Sequence, residues 1–281
     1  MMGNAAAQVV RVIRPVSWTN VRLWSALATL ARHGDLIRTL AAHRLSVRYK
    51  QSLLGPLWAL AQPFALMLIF TIVFTRLVRM PSDGVPYGVF AYAGLLPWTF
   101  FATATTNGTT SLVSHAQLVT KVYFPREILP LTYVVAALCD LGIALGGLVL
   151  LGIWFHIPVT SHLVVLIPSL AVLAALATAA ALLLSAWQVR FRDVGAALPL
   201  ALQLGLFASP VLYPLSAVPR GWSHWYLLNP LAGAIDAFRC AALGSQPDIH
   251  ALAISAVAAV LVLPSAYAVF KHTEATVADV V

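Results

Sequence analysis

The stretch R-L-S-V-R-Y-K-Q-S-L-L-G-P-L-W-A-L-A-Q-P, residues 44–63, decides the fold. It is basic up to Lys50, and residues 51–75 then carry no charge over 25 positions. About 20 apolar residues suffice for an α-helix to cross a bilayer. Basic residues immediately before a span favour the cytoplasmic side of the membrane. The stretch therefore predicts a membrane-spanning helix whose amino-terminal end faces the cytoplasm.

The composition of the whole chain predicts the same environment. Of the 281 residues, 60% are hydrophobic and 9% are charged, whereas soluble domains carry roughly 25% charged residues. The net charge of +8 does not indicate a nucleic-acid partner, because eight of the 17 Lys and Arg precede Gln51 and the others stand singly or in pairs between apolar runs. Such a pattern is typical of loops beside membrane spans. We expect membrane lipid, and no nucleic acid, around this chain.

The apolar runs and the loops between them predict an all-α integral membrane protein with six transmembrane helices. Residues 1–50 are expected to be a cytoplasmic amino-terminal region, 51–275 the transmembrane domain and 276–281 a cytoplasmic tail. The Thr-rich half of the second span is expected to face protein or water, because bare hydroxyls gain nothing from lipid. The predicted spans cover about 53–75, 87–113, 128–155, 163–187, 196–214 and 249–270.

The distribution of basic residues sets the orientation. With both termini inside, 13 Lys and Arg fall on the cytoplasmic side and four fall outside. The opposite orientation would reverse this bias, which is unfavourable.

The region before the first span predicts an amphipathic helix at the membrane interface. Asp35 is a good N-cap residue, and Leu36, Ile37 and Leu40 then share one helical face, with Arg44 inside the same stripe. This face fits either lipid at the interface or a cytoplasmic partner, and the two alternatives are compatible.

Two further patterns concern helix packing. Residues 215–247 are too polar and too broken by Pro and Gly to span, and they predict two short re-entrant helices that dip into the outer membrane interface between spans five and six. Gly142 and Gly146 have a small-xxx-small spacing, which allows close helix packing.

Few residues carry chemistry. The chain has no G-x-x-x-x-G-K-[ST] phosphate loop, so it does not bind a nucleotide in that way. Its histidines and its two cysteines, Cys139 and Cys240, have no metal-ligand spacing, and we expect neither a metal site nor catalytic residues. Asp140 is the one acidic residue in the middle of a predicted span. It is either functional or neutralised at a helix contact, since no basic partner is evident from the sequence.

Aromatic residues are concentrated in spans one, two and five. They either pack and form interfacial belts or face a conduit, where sugar rings would stack on them. The residues that would line such a conduit are Trp58, Phe64, Tyr92, Trp98, Phe207 and Tyr213.

Several ordered motifs resemble one family, the permease subunits of polysaccharide-exporting ABC-2 transporters, which include O-antigen, capsule and teichoic-acid exporters. The similar stretches are R-Y-K-Q-S-L-L-G-P-L-W-A-L-A-Q-P (48–63), G-L-L-P-W-T-F-F (94–101), K-V-Y-F-P-R-E-I-L-P (121–130) and N-P-L-A-G-A-I-D-A-F-R (229–239).

The resemblance implies a homodimer in the bacterial cytoplasmic (inner) membrane, joined by two copies of an ATPase subunit that bind ATP and Mg, and a lipid-linked polysaccharide as cargo. No cofactor is expected in this chain itself. The segment implied to couple to the ATPase comprises Lys121, Tyr123, Phe124, Pro125, Arg126 and Glu127.

Two alternatives remain open on the sequence alone. An ABC-2 permease for a drug or a small lipid would have nearly the same architecture. A membrane-embedded transferase would need clustered acidic or histidine residues at one membrane face, and none is visible. A secondary carrier is less favoured than either, because the sequence shows neither internal repeats nor paired buried charges.

Overall fold

A computed structural model describes residues 32–50, 52–78, 80–121, 124–219 and 221–280, and within them the chain is helical and contains no strand. The helices are α1 (Gly34–Tyr49), α2 (Trp58–Ile72), α3 (Tyr87–Ser114), α4 (Ala116–Lys121), α5 (Ile128–Trp154), α6 (Leu166–Arg190), α7 (Asp193–Ala208), α8 (Ser223–Tyr226), α9 (Ala232–Ala242) and α10 (Ile249–Val280). A turn of 3₁₀-helix precedes α2 at Gly55–Leu57, and a wider π-helical segment follows it at Val73–Val78.

Helices α3 and α6 form the centre of the bundle. Both contact each other along their length, and α5, α9 and α10 pack around them. The apolar first half of α3 is almost completely buried, as is expected of a helix that is hydrophobic on all sides. In its Thr-rich half Thr105, Thr109 and Ser111 are also buried, so this part faces protein as predicted.

Glycines allow the closest helix contacts, but at other positions than expected. A Cβ added to Gly108 would lie 2.5 Å from the Cβ of Ala181, and one added to Gly147 would lie 2.6 Å from the hydroxyl of Tyr92. Gly142 and Gly146 have open space instead. The prediction that this pair mediates close packing is wrong within the chain, because it lies on the exposed face of α5.

Four helical segments among the described residues are long and apolar enough to cross a membrane: Gly55–Arg76, Ile128–Trp154, Ser161–Arg190 and Ile249–Glu274. Helix α3 has 28 residues, but its threonines lower its hydropathy. Helix α7 has 16 residues and ends at Ala208, earlier than the expected 214, where the chain turns. The protein is therefore a helical, multi-pass membrane protein.

The loops fall into two groups, as the predicted topology requires. Ser216 donates a hydrogen bond to Asp83, and Gly244 lies directly against the carbonyl of Pro158, which joins loops predicted to be outside. Arg126, in a loop predicted to be inside, bonds to Glu274 near the end of α10.

The two short helices between α7 and α10 differ from each other. Helix α8 is a single turn, and Trp222 and Trp225 beside and within it are about 70% exposed. Helix α9 is enclosed by α3, α6 and α10, and its residues from Ala232 to Arg239 are buried. Helix α9 is thus surrounded by other helices of the same chain.

Helix α1 lies on α5. It begins at Gly34, and His33 is the N-cap with no side-chain capping bond. The prediction of Asp35 as the N-cap is wrong, since Asp35 is already in the first turn, where its negative charge still complements the helix dipole. Ala41 is its buried residue, and the predicted apolar face is half-buried.

Candidate functional site

The segment that follows α4 is fixed to the end of α10 by buried charges. The carboxylate of Glu127 is 1% exposed and accepts a hydrogen bond from Lys271 Nζ at 2.7 Å. The same Nζ is 2.7 Å from Glu274 Oε2, and the hydroxyl of Tyr267 is 3.5 Å from Glu127 Oε1. A buried carboxylate persists only when it is paired and hydrogen-bonded, and here α10 supplies both partners.

Two neighbours of Glu127 strengthen this attachment. The backbone N–H of Arg126 donates to Glu274 Oε1 at 3.3 Å, and its guanidinium donates to the Glu274 carbonyl. Phe124 packs on a second apolar cluster of Leu112, Leu129, Leu182, Ala186, Val189, Tyr267 and Phe270. The segment is therefore packed against and hydrogen-bonded to α10, and it contacts the adjoining end of α6.

The structure separates the residues predicted to couple to a partner. Glu127 faces inward, whereas Lys121 is exposed and Phe124, Pro125 and Arg126 are half-buried at the surface. Tyr123 lies outside the described residues. Contact of these residues with an ATPase stays a prediction.

Asp140 has the basic partner that the sequence did not reveal. Arg48 Nη1 is 2.5 Å from Asp140 Oδ2, and the Tyr49 hydroxyl donates to Oδ1 at 2.6 Å. Burial, together with this bond to Asp140, raises the pKa of Tyr49 to about 12. Asp140 thus anchors the end of α1 to the middle of α5, which corrects the expectation that no partner exists.

A cavity of about 690 Å³ lies beside this anchor, between the start of α2 and helices α3 and α5. Its lining combines polar groups with aromatic rings, a combination common in small-molecule sites. Those side chains include Arg48, Tyr49, Trp58, Gln62, Phe100 and Asp140.

The six aromatic residues predicted to line a conduit occupy different environments. Tyr92 is fully buried and donates to the Ala144 carbonyl at 3.0 Å, and Trp98 is 7% exposed against α7. Both therefore serve packing inside this chain. Trp58, Phe64 and Phe207 are exposed, and the Tyr213 hydroxyl bonds to Tyr226 at 2.8 Å. Lining of a conduit by these four stays a prediction.

A second buried ion pair, missed in the sequence, holds the turn after α7. Arg239 is 1% exposed and pairs with Asp236 one helical turn earlier. Its guanidinium also donates to the carbonyls of Pro210 at 2.5 Å and Tyr213 at 3.2 Å. The signal was available, because D-A-F-R is a charge pair with i,i+3 spacing inside an apolar stretch.

No cluster of three or more His, Cys, Asp or Glu that could hold a metal occurs among the residues described. Among the described residues, ion pairs occur in three places; Arg48–Asp140 and Lys271–Glu127 join separate helices or segments, whereas Asp236–Arg239 lies within α9.

Comparison with known proteins gives the family. The model of the ABC-2 type transporter family matches residues 35–243. The chain is 32% identical over 246 residues to the O-antigen export system permease protein RfbA of Myxococcus xanthus, which covers 86% of this chain and 94% of the relative. It is 31% identical to the Klebsiella pneumoniae protein of the same name, over 73% of this chain and 79% of the relative. It is 23% identical to the polysialic acid transport protein KpsM of Escherichia coli, over 72% and 79% of the two chains. The chain belongs to the ABC-2 type transporter family.

Proposed function

We propose that this chain is the transmembrane subunit of an ATP-driven ABC transporter that exports a lipid-linked polysaccharide across the bacterial cytoplasmic membrane. The observation that carries the proposal is the 32% identity, over 86% of the chain, with a protein named as an O-antigen export permease. A second relative, named for polysialic acid, carries a different polysaccharide. A polysaccharide is thus the cargo class common to the relatives.

The energy source in this proposal is a separate ATPase. The sequence contains no phosphate loop, so ATP and Mg would be bound by two copies of a partner subunit, and this chain would hold no cofactor. The surface next to α4 that a partner could press is formed by Lys121, Phe124, Pro125 and Arg126. We add Tyr123 to this surface on the basis of the sequence alone. The pairs of Glu127 and Glu274 with Lys271 would pass that movement to α10.

We also propose a homodimer, because two apolar helices, α2 and α7, are left largely uncovered by the rest of the chain. In α7 only Leu198 is buried among the described side chains, while Leu200, Leu204 and Phe207 are more than half exposed. In α2 the buried residues are Pro63 and Met67. A second copy placed against α2 and α7 would cover these faces and enclose a conduit that Trp58, Phe64, Phe207 and Tyr213 line.

Six spans follow if α3 and α7 also cross the membrane. Helix α3 is about 42 Å long at 1.5 Å per residue, which exceeds the ~30 Å hydrocarbon core. Helix α7 would reach only about 24 Å, and the turn after it would stay within the membrane, where Arg239 satisfies its carbonyls. Helices α8 and α9 would then be re-entrant from the outer side, with both termini in the cytoplasm.

The alternatives differ in cargo or in chemistry. An ABC-2 permease for a drug or small lipid would share the fold, and only substrate tests separate it. A membrane-embedded transferase would need a cluster of reactive side chains, and the buried acids Glu127, Asp140 and Asp236 are each neutralised by a basic partner.

The test is an affinity pull-down of the chain from gently solubilised membranes, followed by mass spectrometry and by glycan analysis of a deletion strain. We expect a co-purifying ATPase in equal amount and loss of one surface polysaccharide. A chain that is isolated alone in several detergents, together with an unchanged surface glycan, would contradict the proposal and favour the transferase.

A further inference from the structure

A basic cavity of about 430 Å³ lies beneath the interface helix, between α1, α3 and α5. Its volume is within the range of small-molecule sites. No Asp or Glu of the described residues lines it, and Arg44 gives it a positive charge, whereas the charge of Arg48 is balanced by Asp140. The polar side chains that define this basic cavity are His43, Arg44, Arg48, Asn107, His115 and Tyr133.

Arg44 is the central cation of the basic cavity. Its guanidinium carbon lies 3.6 Å from the centre of the Tyr133 ring, and its Nε is buried without a hydrogen-bond partner. Burial lowers the pKa of Arg44. A buried donor that stays unpaired costs about 1–3 kcal/mol, and the planar guanidinium is the side chain best suited to phosphate oxygens. The cavity therefore holds a preformed donor that lacks its acceptor.

His115 faces the other side of the same tyrosine. The His115 and Tyr133 rings are 6.3 Å apart in an edge-to-face arrangement. His115 Nδ1 is 3.0 Å from the Ser111 carbonyl, so in the neutral ring Nδ1 carries the proton and Nε2 is an acceptor, which would donate to a phosphate only after the ring is protonated. Arg48 contributes from the rim, where Asp140 fixes its position.

The basic cavity lies near the ends of α3 and α5 that are predicted to face the cytoplasm. Tyr133 lies five residues after the start of α5 at Ile128, about 7.5 Å along the helix. Asn107 lies seven residues before the end of α3 at Ser114, about 10 Å. In the predicted topology the cavity is therefore close to the cytoplasmic interfacial layer, which contains the lipid phosphates.

The adjoining cavity indicates which lipid fits. The two cavities share Arg48, Thr103 and Ala137, and the larger one presents Trp58 and Gln62, an aromatic face and an amide suited to a sugar ring. A bulk phospholipid would place nothing there, whereas a glycan joined to a lipid through phosphate would place a sugar beside the phosphate.

We propose that the basic cavity binds the phosphate that links a lipid to its glycan before export, with Arg44 as the principal phosphate ligand. This inference rests on the proposed function and names the group by which the cargo is first held.

The test uses the purified full-length chain in phosphatidylcholine nanodiscs and radiolabelled farnesyl diphosphate as the probe. We expect saturable binding that Arg44→Gln weakens about tenfold or more and that Arg44→Lys restores in part, because lysine keeps the charge but not the fork. Arg38→Gln is the matched control, since it removes the same charge from an exposed position of α1 and should change binding by less than about twofold. Asn107→Asp, which adds a negative charge to the cavity, should weaken binding even if Arg44→Gln does not fold.

Three results would overturn the proposal. Equal losses of probe binding for Arg44→Gln and Arg38→Gln would show that the probe binds through the general surface charge. Inorganic diphosphate that competes as well as the prenyl compound would make the cavity a free-phosphate site. Displacement of the probe in nanodiscs of equal phosphatidylcholine and phosphatidylglycerol would make it a site for bulk lipid. None of these results bears on the glycan analysis of the deletion strain, which decides the proposed function separately.

Discussion

The two ends of the protein each contain a buried ion pair, but one pair joins distant parts of the chain and the other lies within one helix. At the coupling end, defined as residues 116–128 with the last turns of α10, Glu127 and Lys271 are 144 residues apart in sequence. At the end predicted to be the outer one, Asp236 and Arg239 are three residues apart in one helix, and the arginine also bonds to the turn after α7. A pair between distant helices transmits movement, whereas a pair within one helix fixes a local shape. We therefore expect damage at the outer end to affect folding and damage at the coupling end to affect energy coupling as well.

Among the substitutions that remove a charge, the largest loss of stability is expected from Arg239→Met. It leaves Asp236 as an unpaired buried charge and frees the carbonyls of Pro210 and Tyr213, which corresponds to about 3–5 kcal/mol. The measurement is the melting temperature of the detergent-solubilised chain by fluorescence-detected size exclusion. Arg192→Met, at an exposed position, is the control that should melt with the wild type, and an Arg239→Met chain that does so too would refute a structural role for the pair.

A smaller loss of stability is expected from Lys271→Met, about 3 kcal/mol, because Lys271 is partly exposed and water can reach the site. Unlike Arg239→Met, it should also lower the amount of polysaccharide exported per ATP hydrolysed when the chain is reconstituted with its ATPase. Lys121→Met removes an exposed cation from the same end and should leave stability unchanged. If Lys271→Met lowered stability and left that ratio intact, both pairs would have the same, purely structural role.

Charge reversal at the coupling end distinguishes the roles of two adjacent residues, Arg126 and Glu127. Arg126→Glu changes a half-exposed side chain and should reduce coupling while the protein still inserts into the membrane. Glu127→Lys places a second cation beside Lys271 in a buried site and should prevent folding. Membrane insertion, ATP hydrolysis and export are measured in parallel, and full export by both variants would remove this segment from the coupling mechanism.

The aromatic residues give a further contrast, between a ring that packs inside the chain and a ring that could contact the exported polysaccharide. Trp58→Ala should slow export more than assembly, because the ring is exposed beside the larger cavity. Tyr92→Phe should cost about 1 kcal/mol, the value of its bond to the Ala144 carbonyl, and leave export per folded chain unchanged. Unchanged export by Trp58→Ala would assign this ring to packing too.

The sequence predicted the helices better than the contacts between them. Long uncharged runs determine where a span begins and ends, so residues 128–155 and 163–187 agree closely with α5 and α6. The partners of Asp140 and Glu127 lie 92 and 144 residues away. The sequence of a helix that is apolar on all sides does not reveal which face turns inward. For this reason the glycine spacing indicates Gly142 and Gly146 as the packing pair, and not the closely packed Gly147. The sequence predicts an α7 that is too long, because hydropathy values do not show that Arg239 stabilises a turn at 209–214.

The smallest predicted effect is a pH dependence that arises at His115, beside the basic cavity. Burial and the nearby charge of Arg44 lower the pKa of His115, against the opposing bond to Ser111. The unfolded chain then binds more protons than the folded one, so stability is complete above the usual value of 6.5 and falls as the pH drops below it. Melting temperatures of the wild type should therefore decline on acidification below about 6.5, and His115→Gln should lessen that decline. His250→Gln, at an exposed position, should keep the wild-type slope. A slope that His115→Gln leaves unchanged would show that the acid sensitivity arises elsewhere in the chain.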